Sequence, residues 1–421
     1  MLDDGGLSRR DLVKAAVAIG GPAALSACLG RESPDLPTGP EDLSALPERQ
    51  HAWNDSLSTD QYGNVLAPRH RVLLLLEYDG ETPTDADRRA LGDALRGLER
   101  AYPRGNEGLL FTISYSRAYF ERFGAGPAGV DLPRPAAMAP FEDPALDEPD
   151  ALLHLASDYG SVALGAEAAL TGGRDRLNGV AVPTLPDALS VAERRTGFVG
   201  AGLPADHQDV TGIPDGDPVP EDSPLYMGFK SGFRGAQATE DDVTVADGPF
   251  AGGAAQHLSK IRLHLDQWYE QDSREDRVSR MFCPAHAEAG RVEGVGANLG
   301  DGSQLGECPA HAVEDAREAG AVGHSQKAAR AREDDRPVIL RRDFNSTDDD
   351  AAGLHFLSLQ SSIADFAATR EAMNGTDLAE EGAVGTRTNN GILRYMTVLR
   401  RGNYLVPPRS LRAFPRPDPV R

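Results

Sequence analysis

The apolar positions fall into short runs whose period changes along the chain. Arg71-Val72-Leu73-Leu74-Leu75-Leu76-Glu77 is a continuous aliphatic run closed by charges, which predicts a strand. Over residues 84–101 the spacing becomes helical, with Leu91, Leu95 and Leu98 on one face and Thr82 or Thr84 available as a cap. Leu109 to Tyr115 and Ala151 to Ala156 predict two more strands, the Ala-rich segment 160–172 a second helix, and Thr196 to Gly202 a fourth strand. This β-α-β-β-α-β order is the split βαβ, or ferredoxin-like, arrangement. The later chain repeats it. Gln256 to Leu263 leads into a helix around Trp268, 337–343 and 353–360 are strands, a helix spans 362–373 after Ser361 or Ser362, and the chain closes on Tyr404-Leu405-Val406-Pro407-Pro408. The expectation is an α+β fold of two ferredoxin-like halves, residues 69–205 and 206–421, forming a β-sandwich or dimeric α+β barrel.

The N-terminal residues read differently. Ser8-Arg9-Arg10-Asp11-Leu12-Val13 has the twin-arginine export pattern, and a weakly apolar stretch from Ala15 ends in Leu25-Ser26-Ala27-Cys28, which has the form of a lipobox. Residues 1–28 are therefore expected to be an export signal with Cys28 the lipidated residue, tethering the protein to a membrane outside the cell. The competing reading is a chance arginine pair before a surface helix. Residues 29–68, rich in Pro, Asp, Ser and Gly, read as a linker.

Charge narrows the setting. The 421 residues carry 43 Lys+Arg against 65 Asp+Glu, a formal net charge of −22, and only Lys14, Lys230, Lys260 and Lys327 are lysine. So acidic and lysine-poor a chain suits high salt, as in a haloarchaeal protein, where screening removes most self-repulsion. It also argues against nucleic acid as a partner. No apolar run reaches the 18 residues of a membrane-spanning helix.

Two groups of residues could carry chemistry. His324, in "VGHSQKAARAREDDRPVILRR", is either an ordinary exposed histidine or the axial ligand of a metal, since neutral imidazole is a good donor to iron. Strand alternation then sends one of Arg341 and Arg342 inward. The second group is a repeated C-x-x-H, Cys283/His286 and Cys308/His311. It reads as a disulfide closing the Gly-rich segment 287–306, as a zinc site of all four residues, or as free thiols. Gln256, His257, Arg262 and His264 lie on or beside one strand, so half of them face away from any pocket there. Asp348-Asp349-Asp350 reads as solvated surface, and His154, His207 and His355 as packing or surface residues.

Gly252-Gly253 followed by "AAQHLSKIRLHLDQWY", then "GHSQKAARAR", "ILRRDF", "GLHFLSLQ" and "YLVPP", resembles the dye-decolorizing peroxidase family. The resemblance runs over roughly residues 70–410, with its firm anchors in the second half. It implies a b-type haem with His324 as proximal ligand, Gly253 and Arg262 near the cofactor, and Arg341 on the open side, with Arg342 the fallback for a one-residue slip. It also implies hydrogen peroxide as substrate and an outside electron donor. The family motif Gly-x-x-Asp-Gly supplies an acid–base aspartate, whereas the matching context here is Gly228-Phe229-Lys230-Ser231-Gly232. Ser231 thus replaces the carboxylate. A literal copy of the motif at Gly212-Ile213-Pro214-Asp215-Gly216 makes Asp215 an alternative, and Asp343 is another nearby carboxylate. The rival expectation is a haem-binding or interaction lipoprotein that has lost the acid–base chemistry.

Overall fold

The computed structural model describes residues 35–380 and 384–419; the twin-arginine segment and Cys28 lie outside the described residues. Eight antiparallel strands close on themselves: β1 (His70–Tyr78), β2 (Leu110–Ser116), β3 (Ala151–Ser157), β4 (Leu189–Phe198), β5 (Ala254–Leu263), β6 (Phe344–Ser346), β7 (Gly353–Gln360) and β8 (Met396–Val406). The first four lie in the order β4-β1-β3-β2 and the last four in the order β8-β5-β7-β6, the same split βαβ topology twice. The halves join edge to edge, where Tyr404 and Leu405 of β8 pair with Ser116 and Tyr115 of β2, and Asn345 of β6 pairs with Phe198 of β4. Closure leaves no open edge between the two halves.

Burial on both faces explains the continuous apolar runs. In β1, Val72, Leu74 and Leu76 face helices α1 (Asp85–Ala101) and α2 (Gly160–Leu170) in the core of the first half. Leu73 and Leu75 point into the barrel, against Leu152, Leu258, Phe344, Leu357 and Tyr404. Thr84, rather than Thr82, caps α1 in a reciprocal box with Asp87.

The fourth strand begins earlier than its sequence suggests, at Leu189 rather than Thr196, and ends at Phe198. Its middle reads as polar surface, yet Arg195 is fully buried in the barrel, 2.7 Å from both Asp147 and Glu193. Buried ion pairs hid the alternation. The strand expected at 337–343 is instead a two-residue strand, Leu340–Arg341, paired with β7 and followed by β6.

The helix-bearing layers of the halves differ. In the first, α1 and α2 close directly on the sheet and the gap is filled by core side chains. In the second, the short helix Leu265–Glu270 follows β5, and residues 271–339 form a long excursion with several short helices, the last of them α3 (His324–Ala328). Helix α4 (Ile363–Asn374), capped by Ser362 in a box with Asp365, covers the rest of that face. Sheet and helices are pinned by Glu142, which accepts hydrogen bonds from Arg370 of α4 at 2.5 Å and Arg401 of β8 at 2.8 Å, all three side chains being buried.

Removing that carboxylate leaves two buried guanidiniums without their counter-charge. Glu142→Gln is expected to cost about 3–5 kcal/mol in denaturant unfolding at pH 7; a loss below about 1 kcal/mol would remove the pin from the account. Arg370 and Arg401 hold the Glu142 carboxyl below its ordinary pKa despite burial. Its stabilising contribution is therefore present above the ordinary carboxylate pKa and is lost as pH falls through the lowered one, so the gap between wild type and variant should narrow in acid.

Candidate functional site

Between the second-half sheet and its displaced helices lies a cavity of about 1590 Å³, its mouth included. One wall is sheet, with Ser259 and Ile261 of β5 and Phe356 of β7; the other is helical, with Phe366 and Met373 of α4 and His324 of α3.

Residues far apart in sequence hold α3 in place. The Gly323 N–H donates to Gln326 Oε1 at 2.9 Å, and Gln326 Nε2 donates to the Cys308 carbonyl at 2.7 Å. Gly323 packs so closely on Phe282 that a β-carbon there would overlap the Phe282 carbonyl. One turn on, the buried Lys327 ammonium donates to the carbonyl of Met373 at 2.5 Å and to Asn390, with no carboxylate among these partners. Burial and neighbouring arginines push its pKa down to about 7.

His324 is partly exposed to the cavity, and among the described residues nothing hydrogen-bonds its ring. Desolvation, then the positive charges of Lys327, Arg341 and Arg370, push its pKa down to about 3. The imidazole is therefore neutral at physiological pH, with a lone pair free to bind a metal.

Period-two alternation organises the opposing strand. Arg341, Asp343 and Asn345 line the cavity. Arg342 turns away: it donates to the His51 carbonyl at 2.6 Å and to Glu240 at 2.7 Å, and its guanidinium lies 4.3 Å from the centre of the Trp53 ring. Phe344 joins the barrel core. Asn345 is fully engaged, donating to the carbonyls of Phe198 and Pro224 and accepting from the Tyr226 N–H. This fixes the loop that brings Ser231 to the cavity, which is also held by a Lys230–Asp60 ion pair of 2.7 Å. In contrast, the Arg341 guanidinium and Asp343 carboxylate have no hydrogen-bond or ion-pair partner among the described residues.

Other residues named from the sequence lie elsewhere. Arg342 is not at the cavity, which corrects the fallback register. Asp215 is exposed on a loop outside the cavity lining. Arg262 is on the opposite sheet face, beside Lys260 and the 348–349 aspartates, because cavity-facing positions on β5 are 259, 261 and 263. Gly253 does not line the cavity; a β-carbon there would come within 2.6 Å of the Val406 carbonyl oxygen, so it serves the approach of β5 to β8. Cys283 and Cys308 form a disulfide, with His286 Nδ1 3.0 Å from Cys283 Sγ. His311 stands apart, exposed and paired with Glu314, so the four residues do not gather into one tetrahedral set. Sequence reasoning missed Asn345, Arg370, Arg401 and Glu142. Extending the alternation from Arg341 would have found Asn345; nothing local marks Glu142.

The profile of a family of unknown function, DUF7405, matches residues 68–408. The chain belongs to DUF7405. No curated protein matches it. This DUF7405 protein shares its fold with solved dye-decolorizing peroxidases. The dye-decolorizing protein from V. cholerae superposes with a TM-score of 0.52 at 13% identity, covering 86% of this chain and 98% of that one. A haem complex of a Rhodococcus jostii RHA1 DypB variant gives 0.52 at 15% identity, with coverage of 83% and 96%.

Gly323→Ala tests how α3 is placed. The added methyl must displace α3 or the Phe282 segment, and overpacking of this kind costs about 1–3 kcal/mol. Thermal unfolding should show that loss, and histidine NMR should show the His324 ring moved; an unchanged ring signal would mean that the close approach does not position it.

Proposed function

We propose that this protein is a haem-binding oxidoreductase that reduces hydrogen peroxide, with a b-type haem in the cavity and His324 as its axial ligand. The observation that carries this reading is a neutral, unpartnered imidazole in a mainly apolar cavity whose facing strand presents an unpaired arginine. The donor set fits the group: haem asks the protein for an imidazole, an apolar slot and cations for its carboxylates. The exposed Arg332 among the lining residues could meet such a carboxylate. When bound, haem supplies the iron that takes up peroxide and the electrons that cleave its O–O bond.

The chain's own residues would do the rest. Arg341 carries a permanent charge and stabilises negative charge developing on an oxygen beside it. Ser231 cannot act as a base at neutral pH, and that single replacement favours the second reading, a haem-binding protein without turnover. An outside donor, not identified by anything in the fold, would return two electrons per peroxide. The twin-arginine segment and Cys28 support export and a lipid anchor at the cell surface.

Absorption spectra with haem at high salt test the reading. A sharp Soret band in wild type, shifted or lost in His324→Ala, is the expected result; the broad band of free haem in both would end it. Peroxide turnover then separates the two readings, and Ser231→Asp should raise a low rate by about 10²-fold or more if a carboxylate at that position is what is missing. Cys28→Ala should release the protein from membrane to medium, and unchanged membrane association would remove the anchor.

A further inference from the structure

Asp343 is the one carboxylate among the described residues lining the cavity, and it is unused. Other acids close to the cavity are committed: Glu142 to Arg370 and Arg401, Asp60 to Lys230. Asp343 faces the cavity like Arg341, two residues on in the link between Leu340–Arg341 and β6, so the two side chains spring from points about 7 Å apart. Its backbone is held on both sides, by Arg342 against Trp53 and Glu240 and by Phe344 in the barrel core. An unpaired carboxylate between two anchored residues, beside an unpaired guanidinium, is the arrangement needed to divide a weak acid into proton and anion.

We propose that Asp343 is the proton acceptor of this cavity, a role that rests on the haem-peroxidase reading. The step is a simple transfer. One carboxylate oxygen of Asp343 takes a proton from entering peroxide, leaving hydroperoxide anion beside Arg341. The charge is conserved, with neutral Asp343 and one new anion. Any weak acid HX is split in the same way, hydrogen cyanide included. Asp343 would thus supply the function that Ser231 cannot. The charged and titratable groups around it are Arg341 on its own strand, Arg71 across the barrel wall, and His324, Lys230, Arg370 and Arg401 on the other cavity walls.

The test is cyanide association with the haem-loaded full chain, followed by stopped-flow absorbance against pH, for wild type, Asp343→Asn and Asp343→Glu. Haem affinity, measured separately by Soret titration, should be the same in all three. Asp343→Asn should bind cyanide about 10²-fold more slowly, the lower end of what a positioned base contributes. Its dependence of rate on pH should also differ from that of wild type. Asp343→Glu, which keeps the carboxylate, should recover at least about a tenth of the wild-type rate, a difference of about 1.4 kcal/mol in barrier. Normal haem binding with an unchanged rate and pH profile in Asp343→Asn would overturn this role while leaving the haem reading intact. So would a glutamate variant as slow as the asparagine one. Failure of wild type to bind haem would overturn both.

Discussion

The register of the strand from Arg341 to Ser346 is the constraint on which the site depends. Successive residues must face opposite ways, and Trp53 with Glu240 claims Arg342 while the barrel core claims Phe344. Arg341, Asp343 and Asn345 are thereby committed to the cavity. A slip of one residue would drive Arg341 and Asp343 into the barrel core and expose Phe344 to the cavity, so the register is enforced by the cost of burying unpaired charge. The side chains that face the cavity are set from behind, by residues that do not line it.

One topology used twice gives two outcomes. In the first half, α1 and α2 lie directly on the sheet and the layer between is solid core. In the second, the long excursion between β5 and β6 replaces the first covering helix with several short ones, leaving space that side chains do not fill. That space is lined by Lys230, Arg332, Arg341, Arg370 and Arg401 against a single carboxylate, within a chain of net charge −22. A cationic pocket in so acidic a protein favours an anionic, largely apolar guest and repels free cations.

Pairing sorts these charges by role. Arg370 and Arg401 share Glu142, and their charge contributes to holding the wall together. Among the described residues Arg341 and Asp343 are left without side-chain partners, and α3 presents His324 without a hydrogen bond. An ionisable group without a partner is costly to keep in a folded chain, and three of them facing one cavity mark it as a candidate site.

The sequence by itself determined the two ferredoxin-like repeats, most strand and helix positions, and the candidates His324 and Arg341. Those are local properties, written in hydrophobic period and in short motifs. It misplaced the start of β4, because residues inside a barrel can be charged when they are paired, and Arg195 reads as surface until Asp147 is brought to it. Which arginine of the 341–342 pair faces the cavity, that Arg262 does not, that His311 lies apart from the disulfide and His286, and that Glu142 braces the wall were decided only by the tertiary structure. Each depends on partners brought together by closing the sheet into a barrel. No local pattern encodes which distant side chain will be waiting on the other side.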